Sequence, residues 1–348
     1  MNRTTRDGKS PCYILAVETS CDDTSAAVIQ DGRTILSNVV SSQIETHQQF
    51  GGVVPEVASR KHVESITVMI EAAVRESGVA MTDLSAIAVT QGPGLVGSLL
   101  VGLVAAKALS YSLQVPLLSV HHIAGHIYAN ALVHELEYPA MALVVSGGHT
   151  ELVLVEAPGR FRIIGRTRDD AVGEAYDKVA RALGMPYPGG PHVDRMAHEA
   201  KTALPLPRAW LEPDSYDFSF SGLKSAVLAA INQAKMKNLP LDPAEVARGF
   251  QESVSEVLTE KALRAVKAYG AKQLLLAGGV AANRGLRESL APRCEAAGIP
   301  LLAPPIGLCT DNAAMIGAAA FLKWEEGQFA PLDLKAEPLL SLEGWSVQ

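Results

Sequence analysis

Apolar residues along the chain fall into short compact runs separated by polar or glycine-bearing turns, a pattern of strands alternating with helices. Residues 13–17 form one strand-type run, the polar stretch 18–24 follows, and residues 25–29 form a second strand that ends in a turn at Asp31-Gly32. The same figure returns about 130 residues later: strand 142–145, turn 146–150, strand 151–155, turn Pro158-Gly159. A recurrent strand, polar turn, strand unit predicts a repeated architecture. Between the two units, residues 85–90 read as a strand, 91–97 as a loop and 98–109 as a helix. In the second half a strand at 273–277 feeds Gly278-Gly279 and a helix over 283–290, and an alanine-rich helix over about 312–324 closes the pattern. Alternation of this kind predicts α/β layers.

Three stretches break the rhythm. The first eleven residues are expected to be loose, and the proline-bearing segment 201–245, with Pro205, Pro207, Pro213, Pro240 and Pro243, reads as an insertion. Beyond residue 324 the chain, with Pro331 and Pro338, reads as an unstructured tail. The apolar run 95–106 is shorter than a bilayer-spanning helix needs and is expected to be a buried helix.

The 348 residues predict about two domains. A net charge of −7 gives no global attraction to phosphate, so a nucleic-acid partner would need a local basic patch, for which Lys224, Arg248 and Arg284 are candidates, or a partner's surface. The four cysteines, Cys12, Cys21, Cys294 and Cys309, have no C-x-x-C spacing, which points to a reducing compartment; with no apolar leader at the N-terminus, a cytoplasmic protein with no membrane association is expected.

Candidate chemistry concentrates in the turns. His122 and His126, spaced i, i+4 on a helix, place two imidazoles on one face within reach of one metal ion. Such a site needs a third donor from elsewhere, and Asp311 in Cys309-Thr-Asp-Asn312 is the choice, although a residue there also fits an ordinary helix N-cap. A zinc-protease reading requires Glu directly after the first His, where Ile123 stands. Gly92-Pro-Gly-Leu-Val-Gly97 matches a dinucleotide fingerprint, but no carboxylate follows before residue 134 to bind a ribose. Ser146-Gly-Gly-His-Thr150 offers backbone N–H groups to an anion or is a plain hairpin turn. With Glu18–Thr24, Tyr187-Pro-Gly-Gly-Pro191 and Gly278-Gly279, these loops at strand ends suggest a nucleotide in a cleft. Acidic candidates are Glu18, Asp22, Asp23, Asp169, Asp170, Glu174 and Asp177, the last ranked first because its helical stretch leads into Gly189-Gly190.

The ordered set Glu18-Thr-Ser-Cys-Asp22, His122-x-x-x-His126, Val145-Ser-Gly-Gly-His-Thr150, Ala175-Tyr-Asp-Lys178, Tyr187-Pro-Gly-Gly-Pro191, Gly278-Gly-Val-Ala-Ala-Asn283 and Thr310-Asp-Asn312 resembles the bacterial tRNA N6-adenosine threonylcarbamoyltransferases over about residues 12–330. That resemblance implies a duplicated actin-like (ASKHA) α/β fold whose two lobes flank a central nucleotide cleft. The lobes would be residues 12–120 plus 311–335 and residues 121–310. It implies threonylcarbamoyl-adenylate as substrate, tRNA as acceptor and AMP as leaving group, with ATP, ADP or AMP as further occupants of the cleft. His122, His126 and Asp311 would hold one divalent metal, Fe2+ with Zn2+ as the alternative. Val144, Val145, Ser146, Gly147, Gly148, Asp177, Gly190, Asp194 and Asn283 would line the substrate pocket, and Glu18 and Asp22 are the candidate catalytic carboxylates. Implied partners are a smaller TsaB-type paralogue and a TsaE-type P-loop ATPase, with a homodimer as a further assembly. The alternatives are a metal-dependent glycoprotein endopeptidase and a non-enzymatic nucleotide-binding scaffold; a degenerate scaffold would be expected to lack the three metal ligands.

Overall fold

The computed structural model describes residues 10–212 and 214–347; most of the expected N-terminal tail, and Pro213, lie outside the described residues. The first sheet contains β1 (Tyr13–Glu18), β2 (Asp23–Gln30), β3 (Thr34–Ser42), β4 (Ala86–Gly92) and β5 (Leu117–His121) in the order β3-β2-β1-β4-β5. Strands β1 to β3 form an antiparallel meander, whereas β4 and β5 run parallel to β1. Helices α1 (Ile44–Gln48), α2 (Pro55–Ser77) and α3 (Val96–Leu113) connect them, and α4 (His122–Tyr128) follows β5 directly.

The second sheet contains β6 (Ala140–Val145), β7 (Thr150–Ala157), β8 (Arg160–Arg166), β9 (Leu274–Ala277) and β10 (Leu301–Leu302) in the order β10-β9-β6-β7-β8. Antiparallel β6-β7-β8 and parallel β6-β9-β10 repeat the directions of the first sheet strand for strand. Its helices are α5 (Val172–Ala182), α6 (Gly189–Glu199), α7 (Ser221–Lys237), α8 (Pro243–Tyr269) and α9 (Arg284–Ala296), and the last helix, α10 (Ala313–Glu325), returns to pack on the first sheet.

Local sequence explains the boundaries of the two longest helices. Pro55 and Pro243 occupy first-turn positions where the missing N–H costs nothing, and Gly78 and Gly270 end the same two helices in the left-handed conformation at φ 68° and 62°. The two sheets share one apolar layer. Ile14, Ala16 and Ile29 from the first sheet, Val144, Val153 and Leu275 from the second, and residues of α4 and α10 form a single buried cluster between them. Helices α2 and α3 cover the outer face of the first sheet, and α5 to α9 cover that of the second.

Two expectations change. Helix α3 is only half-buried: Ser98, Leu99, Gly102, Leu103 and Ala106 face inward, but Val96, Leu100, Val104 and Tyr111 are 47–68% exposed along its outer side. The segment 201–245 contributes to the second core, where Phe218 and Phe220 stack with centroids 6.2 Å apart. The region after α10 has little regular structure yet is fastened to both sheets. Glu337 N–H donates to Gln91 O, Trp345 Nε1–H to Ser119 O, and Val347 N–H to Gly159 O, at 2.8–2.9 Å. Leu342, Trp345 and Val347 are buried.

Candidate metal centre

The centre forms where α4 meets the start of α10. Strand β5 delivers His121, whose Nδ1 accepts the Ile123 N–H at 3.1 Å and caps α4, while its Nε2 contacts Leu340 O at 3.0 Å. His121 is therefore a structural residue, and burial pushes its imidazole down to about 3. Gly125 lets α4 lie close against α10; a Cβ there would stand 2.8 Å from Ile316 Cδ1. This approach brings His122 and His126 to Asp311. His126 Nε2 lies 3.1 Å and His122 Nε2 3.5 Å from Asp311 Oδ1, and one ligand atom from each residue falls within a group no wider than 4.8 Å.

The choice between cap and ligand for Asp311 is decided one residue away. Asn312, extended at φ −158°, accepts the Met315 N–H at 3.1 Å and is the N-cap of α10. Asp311 is left facing the imidazoles. Burial would raise its carboxyl, but His122 and His126 outweigh that and hold it below the usual carboxylate range. The residues fit a divalent ion. His126 Nδ1 is buried without a hydrogen-bond partner while its Nε2 faces Asp311, and two imidazoles with one carboxylate suit iron or zinc.

Of the three carboxylates in the first turn, Glu18 is fully buried at the end of β1. It accepts from Ser20 N–H, Thr90 Oγ1 at 2.6 Å and His122 Nδ1 at 3.1 Å. Burial pushes its carboxyl up, but His122 and the Thr90 bond pull it below its ordinary value. Asp22 Oδ2 accepts the Tyr187 O–H at 3.4 Å, and burial together with nearby Asp311 raises its carboxyl. Asp23 is pushed up to about 7 by burial and Asp311. A second bridge between the two halves runs from Arg181 to Gly51 O.

The hairpin reading of 146–150 matches the backbone: Ser146 N–H donates to His149 O at 2.8 Å, and His149 N–H to Ser146 Oγ at 3.1 Å. Gly147 and Gly148 at the tip are exposed with open space around them. Val144 and Val145 are fully buried core residues, which leaves only their backbone for a ligand. Asp177 Oδ1 accepts Gly189 N–H at 2.6 Å, and Gly190 sits in the first turn of α6 with open space around it. Asp194 accepts the N–H groups of Arg284 and Gly285 at 3.0 and 3.1 Å, and Asn283 Oδ1 accepts that of Leu286 at 2.8 Å. Asp194 and Asn283 thus meet at the N-terminus of α9.

Asn283 Nδ2 also donates to Gln251 Oε1 at 3.2 Å. Asn283→Ala removes a cap and orphans a buried acceptor, so a loss of about 1–3 kcal/mol is expected in urea unfolding; a wild-type midpoint would show that neither bond contributes.

The remaining acidic candidates are structural. Asp169 accepts from Ser219, Phe220 and Ser221 at the start of α7, Asp170 pairs with Lys178 and Lys224, and Glu174 pairs with Lys178. The three basic candidates are each engaged by a carboxylate: Lys224 by Asp170 at 3.0 Å, Arg248 by Glu252 at 2.8 Å and Arg284 by Glu288 at 2.7 Å. The sequence reading passed over Thr90 and Ser20, which contact the centre, and His149 as a neighbour of it. His149 is pushed down to about 4 by burial and by His122 and His126. Its place in the glycine hairpin was the available signal for it; Thr90, at the end of an apolar strand, carried none.

Residues 34–318 match the family model of tRNA N6-adenosine threonylcarbamoyltransferase. The chain belongs to this family. Among curated members, the tRNA N6-adenosine threonylcarbamoyltransferase of Halalkalibacterium halodurans is 62% identical over 330 residues, covering 95% of this chain and 96% of the relative. That of Geobacillus thermodenitrificans is 59% identical over 337 residues, covering 97% and 98%. Among solved structures, component A of (R)-2-hydroxyglutaryl-CoA dehydratase from Acidaminococcus fermentans superposes with a TM-score of 0.55 at 13% identity, over 90% of this chain and 98% of that one. Full-length HypF superposes at 0.61 and 15% identity over 92% of this chain and 47% of its own. At such identities the likeness concerns the fold alone, and it is that of two-lobed actin-like proteins, in agreement with the two sheets described above.

Proposed function

We propose that the protein transfers the threonylcarbamoyl group from threonylcarbamoyl-adenylate to N6 of the adenosine 3′ of the anticodon in tRNAs reading ANN codons, releasing AMP. The observation that carries this reading is the convergence of His122, His126 and Asp311 on one point in a chain of this family. Attack of the adenosine amine on the carbamoyl carbon forms a C–N bond and breaks the bond to the AMP phosphate oxygen, and the amine loses a proton. No enzyme nucleophile is required, so catalysis reduces to alignment and to stabilising charge on the departing phosphate.

The hairpin tip at Gly147-Gly148 offers backbone N–H groups to the adenylate phosphate. Asp177, Gly190, Asp194 and Asn283 shape the nucleoside pocket on the far side of the cleft, with Val144 to Ser146 as its backbone wall. His122, His126 and Asp311 hold a divalent ion, iron with zinc as the alternative, which when bound supplies Lewis-acid or templating chemistry. The repeated strand order of the two sheets supports a duplicated origin, with lobes at 12–120 plus 311–335 and at 121–310 around a nucleotide cleft. The alternative endopeptidase reading gains no general base from Glu18, because that carboxylate is buried and already engaged by Ser20, Thr90 and His122.

Incubating the protein, its partners and tRNA with labelled threonine, bicarbonate and ATP tests the reading. Label in the modified nucleoside is expected; unlabelled tRNA in the presence of active partners would sink it.

The partner reading is a smaller TsaB-type paralogue together with a TsaE-type P-loop ATPase, in the cytoplasm where tRNA is modified and free thiols persist. The apolar outer stripe of α3, formed by Val96, Leu100, Val104 and Tyr111, is the surface we assign to the paralogue. Val104→Glu is expected to weaken that association at least about tenfold while shifting the stability of the isolated chain by no more than about 0.5 kcal/mol. Sedimentation of the mixture reads both the paralogue complex and a homodimer, and an unchanged complex would remove the stripe from the interface.

A further inference from the structure

We propose that Glu18 is a positioning residue of the metal centre: with Thr90 behind it, Glu18 fixes the His122 ring so that Nε2 alone is presented to the ion. The proposal rests on the reading of His122, His126 and Asp311 as ligands and is independent of the acyl acceptor.

Three adjacent strands bring the parts together. Glu18 ends β1, Thr90 lies near the end of β4, and His122 follows β5. Glu18 is fully buried, and an ionised carboxylate only accepts, so the groups facing it must donate. Oε1 takes the Ser20 N–H; Oε2 takes the Thr90 O–H at 2.6 Å and lies 3.1 Å from His122 Nδ1. That network assigns the neutral ring's proton to Nδ1 and its lone pair to Nε2. Ser20 Oγ also lies 3.1 Å from Nδ1, and with the proton there it serves as a second acceptor.

The other ligands lack this support. His126 Nδ1 has no hydrogen-bond partner. Glu18 itself is outside the group of possible ligands formed by His122, His126 and Asp311 among the described residues, so it acts on the ion through the ring. A carboxylate behind a ligating imidazole sets tautomer and orientation, and losing such a partner typically weakens metal binding by about 10–100-fold. The same engagement removes Glu18 from the list of general bases.

The test titrates metal-free full-length protein with Co2+ alone, followed by calorimetry and visible absorption, with thermal melting of the metal-free form as the fold control. Glu18→Gln is expected to weaken Co2+ binding by about 10–100-fold, and Thr90→Val by a smaller factor, each with a melting temperature close to that of the parent. In a His122→Ala background, Glu18→Gln is expected to add nothing. Wild-type Co2+ affinity in Glu18→Gln overturns the proposal, as does an equal further loss in the His122→Ala background, which would make Glu18 a ligand or a general structural prop. If Glu18→Gln fails to fold, Thr90→Val decides, and unchanged affinity there overturns the proposal. Loss of threonylcarbamoyl transfer at unchanged Co2+ affinity also overturns it without touching the function. Weakened Co2+ binding in a chain with no transferase activity supports it and counts against the function instead.

Discussion

Replacing Asp311 with alanine is expected to abolish stable metal binding while leaving the N-terminus of α10 intact. The carboxylate contributes the one oxygen donor of the group, and its Oδ1 is the atom that both imidazoles approach, at 3.1 and 3.5 Å. Loss of a partner merely behind a ligand costs about 10–100-fold in affinity, so loss of a ligand is expected to cost more than about 100-fold. Transfer to tRNA should fall in parallel. Helix α10 keeps its cap because Asn312, not Asp311, accepts the Met315 N–H. The mirror experiment is Asn312→Ala, which should cost about 1 kcal/mol of stability and leave the ligands in place. Metal content by mass spectrometry after gel filtration, read beside urea unfolding, separates the two. Full metal content in Asp311→Ala would remove Asp311 from the ligand set, and a stability loss in that variant matching Asn312→Ala would return it to the role of cap.

That pair of neighbours shows where sequence runs out. Cys309-Thr-Asp-Asn312 announces a helix start, but three of its four residues are capable caps, and backbone conformation at Asn312 alone decides which one serves. The paired hairpins were legible because their signals are local: two apolar runs, a polar turn, and a turn residue after the second run. The His pair was legible for the same reason, since helix period puts i and i+4 together. The role of Glu18 was not, because Thr90 and His122 are 72 and 104 residues away and carry no pattern linking them to it. Asp169 likewise anchors a helix start about fifty residues on, where local reading offers only a solvated acid. Helix α3 misled in a different way. Apolar residues surround it on all sides, a pattern that reads as core, whereas Val104 and Tyr111 are turned outward. Hydropathy registers what a side chain avoids and is silent on whether its own chain or another covers it.

The segment after α10 has no periodicity, so pattern alone predicts a tail, yet truncating one side chain in it is expected to be among the most damaging changes to stability. Trp345 is 3% exposed and touches three elements at once. Its Nε1–H donates to Ser119 O in β5 at 2.8 Å, its ring lies 6.1 Å from that of Phe161 in β8, and Lys323 Nζ of α10 sits 4.8 Å above it. Trp345→Ala should therefore cost about 3–5 kcal/mol, the range for large aromatic truncations in cores. Leu339, 95% exposed in the same segment, should cost no more than about 0.5 kcal/mol when truncated. A pH signature accompanies the loss. Burial pushes the Lys323 ammonium down to about 8. The unfolded chain then binds more protons than the folded one from there to the ordinary lysine value, so stability rises with pH across that window. Removing Trp345 opens Lys323 to water, raises its value again and shrinks that rise. Urea unfolding of both variants at pH 7 and pH 9.5 checks each part. Equal midpoints for Trp345→Ala and Leu339→Ala would return the segment to the status of an unanchored tail, and an undiminished rise with pH in Trp345→Ala would dissociate Lys323 from the indole.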